Sequence, residues 1–159
     1  MADPDIILED DHSVDEVANR LFFRLYQSSN LMHKAGTNAV EAFGITTQQW
    51  AVLGALAREQ VQKDGMSVKS LMEYLMVSRQ SLTAVLDRLQ RAGLVERIRA
   101  ADDGRVRHVR LTANGRTTWG AMQGAIQAFY DAALSELSGE ESYLLMRFLD
   151  RLCTGLAKL

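Results

Sequence analysis

The chain has little cysteine, little proline and no long apolar run. Its single cysteine, Cys153, excludes a disulfide framework or a thiolate-rich metal site built within one chain. One proline in 159 residues, of which 47% are hydrophobic, is typical of a helical globular protein rather than a disordered one. No apolar run approaches the roughly 20 residues that span a bilayer, and residues 1–16 lack the layout of a signal peptide. We therefore expect a cytoplasmic protein without membrane association.

Signals of catalysis are equally sparse. The three histidines, His12, His33 and His108, share no metal-ligand spacing. The sequence contains neither a glycine-rich phosphate loop nor a nucleophile placed beside a base. We expect a protein that is not an enzyme and that needs no metal or cofactor.

Charge is distributed unevenly along the chain. The whole sequence carries 18 Lys and Arg against 20 Asp and Glu, a net charge of −2. Residues 78–116 nevertheless hold nine arginines and four acids, a net charge of +5, which leaves −7 for the remainder. Arginine forms forked contacts with phosphates and base edges. The segment indicates a negatively charged partner, although an isolated charge run is often only a solvated face.

Apolar residues at helical spacing predict six helices, and small polar residues mark where they begin. The first helix runs from Ser13 to about Phe43, where Gly44 punctuates it. The second follows the capping-box pair Thr46 and Gln49. The residues predicted to cap the starts of the other four helices are Ser67, Ser78, Thr112 and Ser138.

Two short helices followed at once by an arginine-rich hairpin predict a winged helix-turn-helix. The stretch RIRAADDGRVRHVRLT, residues 97–112, alternates arginines with apolar residues on both sides of Asp103-Gly104. Alternation is typical of strands, and glycine accepts the positive φ of a tight hairpin turn. We interpret the hairpin as the wing and the helix after Ser78 as the recognition helix.

The later helices carry apolar residues on more than one face. Those outside the main stripes are Tyr130, Leu134, Leu145, Leu149 and Leu159. A helix that packs on one core needs only one apolar face, so the second face indicates a subunit interface. The expected fold is mainly α with a small two- to three-stranded β-hairpin wing, a winged helix-turn-helix with an α-helical dimerisation lobe. We expect an acidic mobile arm (1–12), a helical dimerisation lobe (13–44 and 112–159) and a DNA-binding lobe (45–111).

In a helix-turn-helix the second helix enters the major groove, where arginine reads guanine and glutamine reads adenine. The predicted DNA contacts on this helix lie outside its apolar stripe and are Ser78, Arg79, Gln80, Ser81, Thr83 and Arg88. At the wing turn, Arg105 is expected to enter the minor groove, with Asp103 orienting it or capping the turn. Arg99, Arg107 and Arg110 are expected to contact phosphates or to pair with acids.

Residues 77–115, VSRQSLTAVLDRLQRAGLVERIRAADDGRVRHVRLTANG, resemble the DNA-binding core of the MarR family of bacterial transcription regulators. The family pattern is a recognition helix ending in Arg-Leu and Gly-Leu-Val/Ile, then a D-x-R wing, then Leu-Thr-x-x-Gly. The matching segments are Asp87-Arg88-Leu89, Gly93-Leu94-Val95, Asp103-Gly104-Arg105 and Leu111-Thr112-Ala113-Asn114-Gly115. With its flanking helices the resemblance extends over about residues 14–157. The wing turn departs from many members in lacking a proline and a second arginine.

The resemblance implies a homodimer whose first, fifth and sixth helices form the dimer lobe. It also implies palindromic double-stranded DNA with half-sites about 10 bp apart, and usually repression that a small aromatic acid, phenolic or thioester ligand relieves. In such proteins the ligand cleft lies between the dimer helices and the DNA-binding lobe. The residues that would line it here are Arg20, Phe23, Arg24, Tyr26, His33 and Trp50. Aromatic residues at helical spacing are, however, more often simple core.

Two other functions stay open at this level. One is a DNA-binding activator or architectural protein without a metabolite ligand, which no effector would release from DNA. The other is a helical protein-interaction module whose arginines meet an acidic partner, which would show no preference for a palindrome.

Overall fold

The computed structural model describes residues 14–100, 104–105 and 107–159. Within them the helices are α1 (Val14–Val40), α2 (Thr47–Leu56), α3 (Glu59–Gln62), α4 (Val68–Leu75), α5 (Arg79–Arg91), α6 (Ala113–Ala133) and α7 (Gly139–Leu156). The strands are β1 (Met66–Ser67), β2 (Val95–Arg99) and β3 (Arg107–Leu111). The mainly α fold with a small sheet is confirmed. The predicted acidic arm and Asp103 lie outside the described residues.

The α-helical part of the first predicted helix ends earlier than expected. Helix α1 stops at Val40 and continues as a 3-10 turn over residues 41–43. Gly44 then takes the left-handed conformation with φ 68°, so the predicted stop at glycine is confirmed. The second helix ends at Leu56 because Arg58 adopts an extended backbone, and the short α3 that follows was not predicted.

Each predicted helix start after α1 is confirmed by a side-chain cap. The amide of Gln49 donates to Thr46 Oγ1 at 3.3 Å, and the amide of Thr46 donates to Gln49 Oε1 at 2.9 Å. The other capping side chains are Ser67, Ser78, Thr112 and Ser138. Hydrogen bonds from the Ser138 amide and hydroxyl lower the pKa of Glu141, the second member of that capping box.

The three strands form one antiparallel sheet in the order β1-β3-β2. Strands β2 and β3 are the predicted hairpin. Strand β1 was not located from the sequence because it is only two residues long and exists only by pairing with β3. Met66 lies opposite Val109, and this pairing attaches the base of the wing to the segment that leads into α4.

The core is built around the predicted apolar stripe of α5. Leu82, Val85, Leu86 and Leu89 are all buried. They belong to one cluster with apolar side chains from other elements, including Leu53, Leu56, Leu71, Val109 and Leu111. This packing fixes one side of α5 against the protein and leaves the opposite side for other contacts.

The apolar stripes of α1 and α7 are largely uncovered in the single chain. Leu21 and Phe22 on α1 are about half exposed, and Phe148 on α7 is 57% exposed. Helix α7 buries no residue, although Leu152 and Cys153 are partly covered. Their periodicity correctly predicted helices, but no other element of the described residues covers these apolar faces.

Candidate nucleic-acid interface

Helices α4 and α5 form the helix-turn-helix. Met76 ends α4 in the left-handed conformation, with φ 55°, and its side chain is 72% exposed. Ser78 then caps α5, where its Oγ accepts a hydrogen bond from the Ser81 amide at 3.2 Å. Three residues, Met76, Val77 and Ser78, thus suffice to redirect the chain between the two helices.

The outer side of α5 carries the residues predicted to contact DNA. All of them are exposed in the single chain: Ser78, Arg79, Gln80, Ser81, Thr83 and Arg88. The helix begins with small and polar residues, which permit close approach of its first turns to a nucleic acid. Arg79, Arg88 and Arg91 place positive charge along this exposed surface.

The wing carries exposed arginines beyond the part of the sheet that packs on the core. At its base Val95 lies opposite Leu111, and both side chains are buried. At its outer end Arg99 lies opposite Arg107, and both are exposed. Arg105 is exposed in the turn that joins the strands. Asp103, which was predicted to orient it, lies outside the described residues.

The arginines of the wing do not share one role. Arg110 donates from Nε to Glu96 Oε1 at 2.8 Å, across the hairpin. Arg97 donates from Nη2 to Asp87 Oδ1 at 3.2 Å and from Nε to Gln90 Oε1 at 3.1 Å, both on α5. Of the two roles expected for Arg110, the structure therefore shows pairing with an acid.

The Leu-Thr-x-x-Gly segment closes the base of the wing. Thr112 Oγ1 donates to the Gly93 carbonyl at 2.6 Å, and the Thr112 amide donates to the Leu94 carbonyl at 3.1 Å. Gly115 packs so closely that a Cβ there would collide with the Leu94 carbonyl oxygen. These contacts fix where β3 ends and α6 begins relative to the end of α5.

On its other side the wing is held by the loop that follows α3. His108 Nδ1 lies 2.8 Å from the Asp64 carbonyl oxygen, and Arg110 Nη1 donates to the Lys63 carbonyl at 3.4 Å. The base of the hairpin is thus held on both sides, by the end of α5 on one side and by the loop after α3 on the other.

A cleft of about 350 Å³ lies between α1, α2 and the helix-turn-helix. Its apolar lining consists of Met32, Ala51, Val52, Leu75, Val77, Leu82 and Val85. An adjoining polar cleft of about 260 Å³ shares His33 and Thr47 with it and is also lined by Thr37 and Arg88. Thr47 Oγ1 donates to the His33 carbonyl at 2.9 Å, which ties α2 to α1 at this point.

The residues predicted to bind a ligand are not gathered in this cleft. Arg20, Phe23, Arg24 and Tyr26 are exposed on α1, where Arg24 donates to Gln27 at 3.1 Å. Trp50 is buried and packs edge-on against Phe129 with ring centroids 5.6 Å apart. Of the six, only His33 lines the cleft. The sequence did not predict that α5 lines this cleft, because the periodicity of α1 does not show which element packs beside it.

Among the described residues, no helix has the length and hydropathy that crossing a membrane requires. In that part of the chain no three His, Cys, Asp or Glu side chains are gathered in a way that would hold a metal ion.

A recognition helix with an exposed basic side, followed by a basic wing, defines the class of winged helix-turn-helix DNA-binding regulators. The MarR family model matches residues 43–106. Over 145 residues the chain is 47% identical to "Transcriptional activatory protein BadR" of Rhodopseudomonas palustris, covering 91% of this chain and 82% of that protein. The chain belongs to the MarR family and is a DNA-binding transcription regulator.

Two further similarities agree with this assignment. The chain is 28% identical over 111 residues to the "Homoprotocatechuate degradative operon repressor" of Escherichia coli, covering 70% of this chain and 72% of that protein. The structure of reduced AbfR bound to DNA is 29% identical, with a TM-score of 0.69, and the match covers 90% of this chain and 96% of that chain. The named relatives from Rhodopseudomonas palustris and Escherichia coli are transcription regulators and not enzymes.

Proposed function

We propose that the protein is a homodimeric, cytoplasmic repressor that binds a palindromic operator and is released from it by a small aromatic acid, phenolic or thioester ligand. The observation that carries the proposal is the cleft behind the recognition helix. Ser81, Leu82 and Val85 of α5 line it, so a ligand held there touches the helix that reads DNA. Its occupancy is therefore able to change the position of α5 directly.

Dimerisation through residues 13–44 and 112–159 is supported by the uncovered apolar faces. Tyr26 on α1 is 67% exposed, and Leu144, Leu145 and Phe148 on α7 are all exposed. Helix α7 makes only slight contact with the other elements of the described chain. An apolar helix with so little support within its own chain is stabilised when a second copy covers it.

A two-fold dimer accounts for the choice of a palindrome. Two copies of α5 related by a two-fold axis would meet two identical half-sites in successive turns of the major groove, about 10 bp apart. The wings, residues 95–111, would then contact the flanking DNA. The remaining residues of the DNA-binding lobe, 45–94, carry α5 and hold it in place.

The lining of the clefts suits an acid with an apolar body. The apolar cleft accommodates a ring or acyl group, while Arg88 in the adjoining polar cleft offers a cation for a carboxylate or phosphate. Arg88 is also exposed on the recognition helix. A ligand anion that holds Arg88 removes it from DNA, which connects ligand binding to operator release.

Activation is a second candidate, and the 47% identity to "Transcriptional activatory protein BadR" favours it. The same protein–DNA contacts give repression or activation according to where the operator lies relative to the promoter. Deleting the gene and measuring transcripts of the neighbouring operons separates the two. Higher transcript levels identify a repressor, and lower levels identify an activator.

The full-length protein tests the dimer and the ligand together. An operator is first selected from random duplexes, and binding is followed by fluorescence anisotropy with and without homoprotocatechuate, 4-hydroxybenzoate and the coenzyme A thioester of the latter. We expect a dimer by light scattering, a palindromic selected site, and release by at least one of these probes. Monomeric protein, a non-palindromic site or no release would each contradict the corresponding part of the proposal.

A variant that fills the cleft gives the control. Ala51 lines the apolar cleft, so Ala51→Phe should keep the active probe out, and the operator affinity of this variant should no longer change when the probe is added. Ala42→Phe makes the same change on the exposed 3-10 turn and should keep both the operator affinity and its response to the probe. Equal responses of the two variants would exclude the cleft as the ligand site.

A further inference from the structure

We propose that Arg97 is a positioning residue for DNA recognition, which fixes the wing to the recognition helix through Asp87 and Gln90. The inference builds on the DNA binding of the family and is independent of the proposed ligand and of the sign of regulation. It separates Arg97 from Arg99 and Arg107, the exposed arginines of the same hairpin that we expect to contact DNA itself.

The Arg97 side chain connects two elements, strand β2 and helix α5. It leaves β2 on the same face as Val95, crosses to α5, and donates to Asp87 Oδ1 at 3.2 Å and to Gln90 Oε1 at 3.1 Å. Asp87 and Gln90 are three residues apart, and therefore adjacent on one side of the helix. Because Nη2 and Nε each have a partner, the planar guanidinium is oriented by two bonds rather than one.

The acid that Arg97 holds stands in an unfavourable place for DNA binding. Asp87 is the only acidic residue of α5, and its side chain is 52% exposed between Thr83 and Arg88 on the outer part of the helix. A bare carboxylate there would repel the phosphate backbone. Arg97 compensates that charge from the wing, so the same contact that fixes the wing also neutralises the recognition helix.

A fixed distance between helix and wing matters for specific DNA more than for random DNA. Specific binding needs α5 in the major groove and the wing on the adjacent backbone at the same time. Binding to random sequence depends mainly on total charge and tolerates movement of the wing. Loss of the hydrogen bonds between Arg97 and α5 should therefore lower the ratio of operator affinity to random-duplex affinity.

Replacing Asp87 distinguishes a positioning role from a purely electrostatic one. Simple electrostatics expects Asp87→Ala to strengthen binding to every duplex, because a negative charge near DNA is removed. If the Arg97–Asp87 contact positions the wing, Asp87→Ala should strengthen binding to the random duplex but lower the ratio of operator affinity to random-duplex affinity. Arg97→Ala should lower that ratio by about 3- to 30-fold, the range of typical coupling energies.

The test uses the full-length chain, its selected operator and a scrambled duplex, with affinities measured by anisotropy over a series of salt concentrations. The variants are Arg97→Ala, Asp87→Ala and the double variant, with Arg99→Ala as the control on the same strand face. We expect the double variant to lose no more of the ratio than the worse single variant, because both substitutions cut one connection. Arg99→Ala should weaken binding to both duplexes alike.

Three results would overturn the proposal. If Arg97→Ala weakened both duplexes equally and reduced the salt slope as Arg99→Ala does, Arg97 would be a phosphate contact. If the two substitutions lowered the ratio additively, Asp87 would read a base independently of Arg97. If melting temperatures fell while the ratio stayed unchanged well below the transition, the contact would serve stability alone.

Discussion

Arg99 lies directly opposite Arg107 at the outer end of the wing, on the sheet face that packs on the core at the other end of the hairpin. Like charges placed opposite each other destabilise a strand pair. The same hairpin also contains the opposite arrangement, because Glu96 and Arg110 are paired across it at 2.8 Å. The wing thus presents exposed arginines where it projects furthest from the core, as contact with the DNA backbone requires.

Replacing Arg107 with glutamate should make the wing more stable and less able to bind. Arg107→Glu places opposite charges across the hairpin from Arg99, a change that is expected to stabilise the sheet by about 0.2–1 kcal/mol. Operator and random-duplex affinities should both fall, with a shallower salt dependence. Thermal unfolding and anisotropy measure the two effects. Lys158→Glu, the same charge change at the exposed end of the chain, should leave DNA affinity nearly unchanged.

Arg79 is expected to contribute sequence preference. It is exposed in the first turn of α5, the part of a recognition helix that meets base edges. Arg79→Ala should reduce operator affinity by about 1–3 kcal/mol and relax the preference at one position of each half-site. Repeating the operator selection with the variant checks this. Arg91→Ala, at the far end of the same helix, should keep the selected sequence, and an unchanged selected sequence in the Arg79 variant would refute the assignment to Arg79.

Arg105 should act on affinity rather than on major-groove readout. It is exposed in the wing turn, where an arginine can enter a narrow minor groove. Arg105→Ala should weaken binding and lower the slope of log affinity against log salt by about 1. Arg105→Lys keeps the charge and should keep that slope. An unchanged affinity and slope in the alanine variant would show that the wing turn does not reach DNA.

The sequence predicted local features well because their signals are local. A helix start needs only a capping side chain and a few following residues, and Ser78 and Ser138 supply these within a single turn. The buried stripe of α5 follows from spacing alone. Strand β1 has no such signal, since two residues form a strand only when β3 is already beside them.

The roles of individual arginines needed the tertiary structure. Arg97 and Arg99 alternate identically along β2, yet only Arg97 lies near enough to α5 to pair with Asp87. The clefts show the same limit, because His33 and Arg88 come from distant parts of the sequence and meet only after α1 packs beside the helix-turn-helix. Periodicity identifies the face on which a residue lies, but it does not identify the element that this face meets.

Two glycines of α6 should respond in opposite ways to alanine. Helix propensity alone predicts that both substitutions stabilise, by up to about 1 kcal/mol. At Gly120 nothing lies within 4 Å of an added Cβ, so Gly120→Ala should raise the melting temperature. At Gly115 the added Cβ would strike the Leu94 carbonyl oxygen, so Gly115→Ala should destabilise by about 1–3 kcal/mol. Because the Leu94 carbonyl also accepts from the Thr112 amide, the collision falls on the junction that holds the base of the wing. Thermal unfolding at one fixed protein concentration makes the comparison, and equal shifts of the same sign would show that α6 is not packed against Leu94 as described.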